Sequence, residues 1–323
     1  MKLIIQIPCY NEEDALPITL GCLPRQVGGF DRVEWLVIND GSEDDTVRVA
    51  REGGVDHVVR LPVHKGLAAA FVEGIRASLK AGADVIVNTD ADNQYNADDI
   101  HRLVAPVLSG EADMVVGERP IMEIRHFSPL KKLLQRLGSV VVRAVSGTGI
   151  RDAPSGFRAI SRDAALRINV FDDYSYTLET VIQARAKGIR VVSVPIRTNE
   201  DLRQSRLIRS TWSYLVRSTS TVLRMFLLYR PLRVFFLGGI VPFVLGTALC
   251  IRWLVLFLFE DSTRARAPSL IMAALLILLA FNMWSLGLVA DLLAANRRLL
   301  EDLQYQARSR ASEAAARSQS VQD

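Results

Sequence analysis

Cysteine is scarce: three occur in the 323 residues. Cys9, Cys22 and Cys250 have neither metal-ligand nor redox spacing, which fits a reducing compartment. No stretch carries an RNA- or DNA-binding signature, no segment repeats, and the net charge is only +4, so no nucleic-acid partner is expected. A cleavable signal peptide is not expected either, because Met1 runs straight into the strand-like residues 3–8. What the chain has in quantity is apolar residues, 50% of the total, and these are unevenly spread. Up to about residue 200 they alternate with charged segments, as in a soluble α/β protein, whereas residues 232–290 are mostly apolar.

Short, β-branched runs at residues 3–8, 33–39, 57–61, 85–87 and 113–117 read as buried strands. Helical patterns lie between them, near residues 66–80 and 98–108. Such alternation predicts a mostly parallel sheet with helices on both faces. In these sheets ligands bind beyond the carboxyl ends of the strands. Polar clusters near Asn11, Asp40 and Asp90 each follow a strand, so they are expected to share one crevice. Residues 152–158, DAPSGFR, read as a tight turn entering a further strand; a helix at 176–187 and a strand at 190–196 complete this part.

The stretch around which the rest is organised is residues 83–95, ADVIVNTDADNQY. After its strand, Asp90, Asp92 and Gln94 fall on alternate residues, which in extended backbone point the same way. Two carboxylates this close repel unless a cation sits between them. Oxygen ligands suit Mg²⁺ or Mn²⁺, held jointly by the protein and nucleotide phosphates. A solvated acidic turn is the alternative.

Further along, Ser128 and Pro129 read as a helix start, its Leu-rich face opposed by Lys131, Lys132, Arg136 and Arg143. This helix either packs on the core or rests on anionic headgroups. Over residues 205–230 a basic face opposes an apolar face with Trp212, the pattern of a helix lying in a membrane interface. Residues 232–259 and 268–290 each exceed the ~20 apolar residues needed to cross a bilayer. Arg252 is placed to snorkel to the far interface. Arg230, Arg233, Arg297 and Arg298 flank the spans, so the positive-inside rule predicts a multi-pass protein of the inner (plasma) membrane with both termini cytoplasmic. The expected boundaries are a catalytic domain at 1–204, the interfacial helix at 205–230, two transmembrane helices at 231–292 and a cytoplasmic tail at 293–323. After Glu301 a frayed helix or disorder is expected.

The segments PCYNEEDAL, NDGSEDDT, HKGLAAAFVEGI, DADNQY, VVGER and DAPSGFRAISR, in that order, resemble the polyprenyl-phosphate glycosyltransferases of the dolichol-phosphate-mannose-synthase type. Those are inverting family 2 enzymes, and the likeness runs from Met1 to about Arg209. It implies an α/β, Rossmann-like GT-A domain followed by an amphipathic helix and a transmembrane hairpin. The implied reaction moves a hexose or related sugar from a nucleoside-diphosphate sugar to undecaprenyl or dolichyl phosphate. By the same resemblance Pro8, Tyr10, Asn11 and Glu12 form the nucleotide pocket, with Asp40 near the base or ribose and Lys65, Gly66 and Ala91 also binding substrate. Asp90, Asp92 and Gln94 hold Mg²⁺ or Mn²⁺. Asp92, Arg119, Asp152 and Arg158 are the implied catalytic residues, the two arginines contacting phosphate or acceptor groups, and Ser155 lines the cleft. Arg203 and Arg206 sit where related enzymes carry a basic loop near the lipid phosphate. Asn39 stands where the family usually has Asp, and Asn93, Tyr95 and Asn96 replace the more usual Leu and His-Pro.

A lipid monophosphate, with a second pKa near ~6, is largely ionised at neutral pH, so no strong general base is required. Asp152 or Glu179 would orient it. Arg125, Lys131, Lys132, Arg203 and Arg206 are candidates to draw it in, at roughly 1 kcal/mol per basic residue. Two other functions compete. A processive polysaccharide synthase would carry Gln-x-x-Arg-Trp and a pore of several spans, neither of which occurs here. A non-catalytic, membrane-tethered nucleotide-sugar-binding protein would have no need to keep Asp90 beside Asp92. Two lone spans also favour packing with copies of themselves, so a homo-oligomer is possible.

Overall fold

The computed structural model describes residues 1–120, 149–170, 176–199, 227, 231–259 and 267–320. Among the segments expected from sequence, the helix begun by Ser128, the 205–230 helix, the connection between the spans, and Arg125, Lys131, Lys132, Arg203 and Arg206 lie outside the described residues. Two compact units form: Met1–Val222 together with Leu303–Asp323, and Leu223–Asp302.

The first unit is built in the order β1 (Lys2–Cys9), α1 (Leu16–Cys22), β2 (Arg32–Asn39), α2 (Thr46–Glu52), β3 (His57–Arg60), α3 (Leu67–Lys80) and β4 (Val85–Asn88). A 3-10 turn at Ala97–Asp99 leads into α4 (Ile100–Leu108), then β5 (Met114–Glu118), β6 (Arg158–Ser161), α5 (Arg162–Arg167), α6 (Tyr176–Ala186) and β7 (Val191–Pro195). The strands form one sheet in the order β3-β2-β1-β4-β6-β5-β7. All neighbours are parallel except β6, which runs antiparallel to both β4 and β5. The mostly parallel sheet expected from the alternation of elements is present. The short α5 was not foreseen, since six residues give too little periodicity to read.

Register explains where ligands can bind. β1 and β2 end side by side, with Cys9 opposite Asn39, so Tyr10 and Asp40 leave the sheet as neighbours. Asn88 closes β4 opposite Gln6, and Arg158 opens β6 opposite both Asn88 and Val116. The turn before β6 therefore lies at the same edge as the ends of β4 and β5. Leu3, Ile5 and Ile7 of β1 pack with Leu16, Leu20, Trp35, Val87, Ile100 and Leu103 into a continuous core that holds this edge rigid. On the opposite face α3 lies close to the sheet at Gly74, where a Cβ would stand 2.6 Å from Gln6 Oε1.

The second unit contains α7 (Pro231–Phe259) and the apolar part of α8 (Ala267–Ser320). Both helices are long and apolar enough to cross a membrane, and only 17% of each best window is buried, whereas the core helix of a soluble protein is mostly buried. Burial of that apolar surface therefore has to come from a bilayer or a partner. The helices approach closely through glycine: a Cβ at Gly239 would lie 2.4 Å from Trp284 Nε1, and the Trp284 indole N–H donates to the Phe236 carbonyl at 3.1 Å. Gly246 likewise faces the Ala273 carbonyl, and Gly287 faces Phe235.

Of the two expectations for the tail, a frayed helix or disorder, helix is what forms, since α8 continues to Ser320. Its Ala, Arg and Gln residues favour helix. Within the first unit Tyr305 Oη donates to Asp163 Oδ1 at 2.8 Å, and Arg308 donates to the Ile168 carbonyl at 3.1 Å.

Candidate active site

At the ends of β1 and β2 two loops interlock through their backbones. Asn11, in the left-handed region at φ 54°, donates its N–H to Ser42 Oγ at 2.9 Å, and its side-chain oxygen accepts the Glu43 N–H at 2.9 Å. The N–H of Glu12 donates to Thr46 Oγ1 at 2.9 Å, and Asn39 Oδ1 accepts from Ser42 N at 3.1 Å. Gly41 has φ 68°, and a Cβ there would stand 2.5 Å from the His64 nitrogen, so the position needs glycine on both counts. Tyr10 stacks on His64 with ring centroids 3.8 Å apart. The result is an open cleft of about 620 Å³ lined by Tyr10, Asn39, Ser42, Glu43, Arg60 and His64 among others.

Asp40 builds this cleft from behind. It is 2% exposed, and its carboxylate accepts the Lys65 and Gly66 N–H groups at 2.8 Å each, with His64 Nδ1 also 2.8 Å away. Its oxygens are met by the loop that forms the wall, so Asp40 shapes the cleft from beside it. Lys65 and Gly66 contribute their backbone to that clamp, the Lys65 side chain being exposed. Pro8 is buried in β1 and Glu12 is nearly buried, whereas Tyr10 faces the cleft. His64 went unnoticed in the sequence because nothing local marks it apart from its place before Lys-Gly.

The acidic turn differs from the geometry that alternation suggested. β4 ends at Asn88, the chain turns at Ala91 and Asp92, and Asn93 is left-handed at φ 56°. Asp92 Oδ1 accepts the Gln94 N–H at 3.2 Å, so a turn rather than a pleat brings the carboxylates near each other. Burial first, then the Asp92 charge, pushes the Asp90 carboxyl up to about 7. Ala91 is buried, and its carbonyl is tied to Thr19 Oγ1 at 2.7 Å, an anchoring role. From behind, Asn199 Nδ2 donates to the Asn93 carbonyl at 2.9 Å, and the Asn199 N–H donates to the Gln94 carbonyl at 2.9 Å. Among the described residues no three His, Cys, Asp or Glu side chains gather as a metal-binding group. The oxygen set expected here is instead two carboxylates and the Gln94 amide. The fit to a divalent cation lies in the charge: Asp90 and Asp92 form an acidic pair whose repulsion such an ion would relieve.

Beside this turn stands Arg119, whose Nε and Nη2 donate to Asp152 Oδ2 and Oδ1 at 2.7 and 3.0 Å. The Asp152 carboxylate is 1% exposed and also accepts the Arg119 N–H at 3.2 Å. Burial disfavours the Arg119 charge, but Asp152 more than compensates and holds the guanidinium well above its ordinary value. Ser155 is fully buried in the same turn, and its hydroxyl has no hydrogen-bond partner among the described residues.

Arg158 requires a correction. It is fully buried and donates to the Ser155, Ala153 and Thr177 carbonyls at 2.9, 2.7 and 2.8 Å and to the Thr180 hydroxyl. That pins the 153–158 turn to α6 and leaves no surface for phosphate. Glu179 is likewise fully buried. A buried polar chain also escaped the sequence reading. Gln6 Nε2 donates to Asn88 Oδ1 at 2.8 Å, and Asn88 Nδ2 donates to the Gly156 carbonyl and to Tyr176 Oη, both at 2.9 Å. The available signal was a lone amide inside each of two apolar strands.

An open α/β sheet with a loop-built cleft and an acidic turn at its carboxyl edge is the architecture of a GT-A glycosyltransferase. The sequence profile described as "Glycosyl transferase family 2" matches residues 4–169, just over half of the chain, and the chain belongs to that family. It is similar to the undecaprenyl-phosphate mannosyltransferase of Micrococcus luteus, 31% identical over 207 residues covering 61% of this chain and 83% of that one. A UDP-N-acetylglucosamine–dolichyl-phosphate N-acetylglucosaminyltransferase of Methanococcus voltae is 28% identical over 59% of this chain and 83% of its own length. In fold the chain is similar to glucosyl-3-phosphoglycerate synthase of Mycobacterium tuberculosis, solved with Mn²⁺ and UDP, at TM-score 0.54 and 21% identity over 70% of this chain and 78% of that one.

Proposed function

We propose that this glycosyltransferase moves a hexose or related sugar from a nucleoside-diphosphate sugar to a polyprenyl phosphate at a membrane, inverting the anomeric centre. The observation that carries the acceptor is the pair of apolar, exposed helices joined to a family 2 domain in one chain. Relatives that act on undecaprenyl and dolichyl phosphate support the same reading, and they differ in sugar, so the donor is left at the level of class. Topology follows the flanking arginines, with the catalytic domain cytoplasmic.

In this reading the donor's base and ribose occupy the Tyr10–His64 cleft, and its diphosphate reaches the turn at Asp90, Asp92 and Gln94. A Mg²⁺ or Mn²⁺ ion bound by those residues supplies charge neutralisation for the departing diphosphate. Arg119 adds fixed positive charge at the same edge and is kept oriented by Asp152. Asp152, already paired, takes no proton; the acceptor phosphate arrives ionised and attacks directly. Arg203 and Arg206 would meet the lipid phosphate.

The test is transfer of labelled sugar to polyprenyl phosphate by the purified full chain with MnCl₂ or MgCl₂. Asp92→Ala should lower transfer about 1000-fold or more, several kcal/mol of transition-state stabilisation, with the fold retained. Full activity in that variant would remove the metal role, and transfer to water or sugar alone would remove the lipid acceptor.

A further inference from the structure

Asp90 does not stand alone against the turn that precedes β6. Gly156 packs on it so tightly that a Cβ would lie 3.1 Å from Asp90 Oδ1 and 3.3 Å from Oδ2. The Gly156 N–H does not reach Asp90; it donates to Tyr95 Oη at 3.0 Å. Gly156 therefore stands between the Tyr95 hydroxyl, which its N–H engages, and the Asp90 carboxylate, on which it packs. The ring is held as firmly: Tyr95 is 4% exposed, stacks on Phe157 at 5.0 Å between centroids, and its backbone pairs with Thr198.

We infer that Tyr95 is a positioning residue for the cation site. Its hydroxyl holds Gly156 against the Asp90 carboxylate and so ties the acidic turn to the turn that carries Asp152 and Ser155. This rests on the reading that Asp90 and Asp92 hold a divalent cation. A carboxylate beside a metal is commonly kept oriented by the groups packed behind it, and loss of such support typically weakens binding about 10–100-fold. Removing the oxygen also strands the Gly156 amide, so both turns lose their shared reference point.

Tyr95→Phe keeps the ring and its stack on Phe157 and removes only the hydroxyl. The experiment titrates MnCl₂ into the full-length protein, alone and with UDP or GDP, and reads free Mn²⁺ by electron paramagnetic resonance. Thermal unfolding of the metal-free protein is recorded in parallel. The inference expects Mn²⁺ affinity to fall about 10-fold or more, with the metal-free melting temperature within a few degrees of the parent and the loss in kcat exceeding the change in donor KM. Unchanged Mn²⁺ affinity in Tyr95→Phe, with the parent binding normally, overturns the inference. No saturable Mn²⁺ binding by the parent overturns the cation site itself and the inference with it.

Discussion

Asp40 and Asp90 each stand just beyond the carboxyl end of a parallel strand, Asp40 after β2 and Asp90 after β4, yet their surroundings are opposite. Asp40 is closed in by two backbone N–H groups and His64, so its charge is met within the protein. Asp90 stands against Gly156, and burial first, then the Asp92 charge, drive its carboxyl up to about 7 although the Arg119 charge opposes the rise. Asp152 resembles Asp40, with its charge consumed by Arg119. Carboxylates of identical type at one sheet edge thus divide into those that build loops and an adjacent pair that repel each other. The second kind marks where a cation and a diphosphate have a reason to bind.

The contrast is broken most severely at Arg119→Ala. Deleting the guanidinium leaves Asp152 buried and unpaired, which typically costs about 3–5 kcal/mol. Urea unfolding should show that loss, and Arg119→Ala with Asp152→Asn should recover a large part of it. Next comes Asp40→Ala, which strands two backbone N–H groups at about 1–3 kcal/mol each. Its melting temperature should fall, and donor KM should rise more than kcat falls, because the cleft wall at His64 loosens while the acidic turn is untouched. If Asp40→Ala instead abolished kcat at full stability, Asp40 would belong with Asp90. The smallest effect is expected behind the acidic turn, at Asp99. Burial opposes the Asp99 charge, but hydrogen bonds from Arg197 outweigh it and lower the carboxyl below its ordinary value. A carboxyl lowered in the folded state stabilises at neutral pH, and that contribution is lost as pH falls through its folded value. Melting temperatures recorded from pH 6 to pH 3 should therefore drop less steeply in Asp99→Asn than in the parent.

Much of this was readable before the fold was known. The strands, their order along the chain and the gathering of Asn11, Asp40 and Asp90 at one edge followed from short apolar runs ending in polar turns. The apolar hairpin followed from length and composition. What sequence could not supply was which polar side chains are already occupied. Arg158 and Asp40 sit in motifs that imply ligand contact, and only the folded backbone reveals that neighbouring carbonyls and amides consume them. The alternation of Asp90, Asp92 and Gln94 suggested a pleat, whereas a left-handed Asn93 and an Asp92-to-Gln94 hydrogen bond make a turn. Tyr95 stood out only as a departure from the family pattern, and the roles of Tyr95, Tyr176 and His64 stayed hidden for a related reason. Their partners are 61, 20 and 24 residues away, beyond any local pattern.

The most direct measurement compares Asp90→Asn with the parent by calorimetric titration of MnCl₂ plus a nucleoside diphosphate, alongside melting of the metal-free proteins. The prediction is that Mn²⁺-dependent nucleotide binding disappears while the metal-free melting temperature holds or rises, since the repulsion with Asp92 is gone. Undiminished Mn²⁺-dependent binding in Asp90→Asn would contradict the assignment of the acidic turn to a cation.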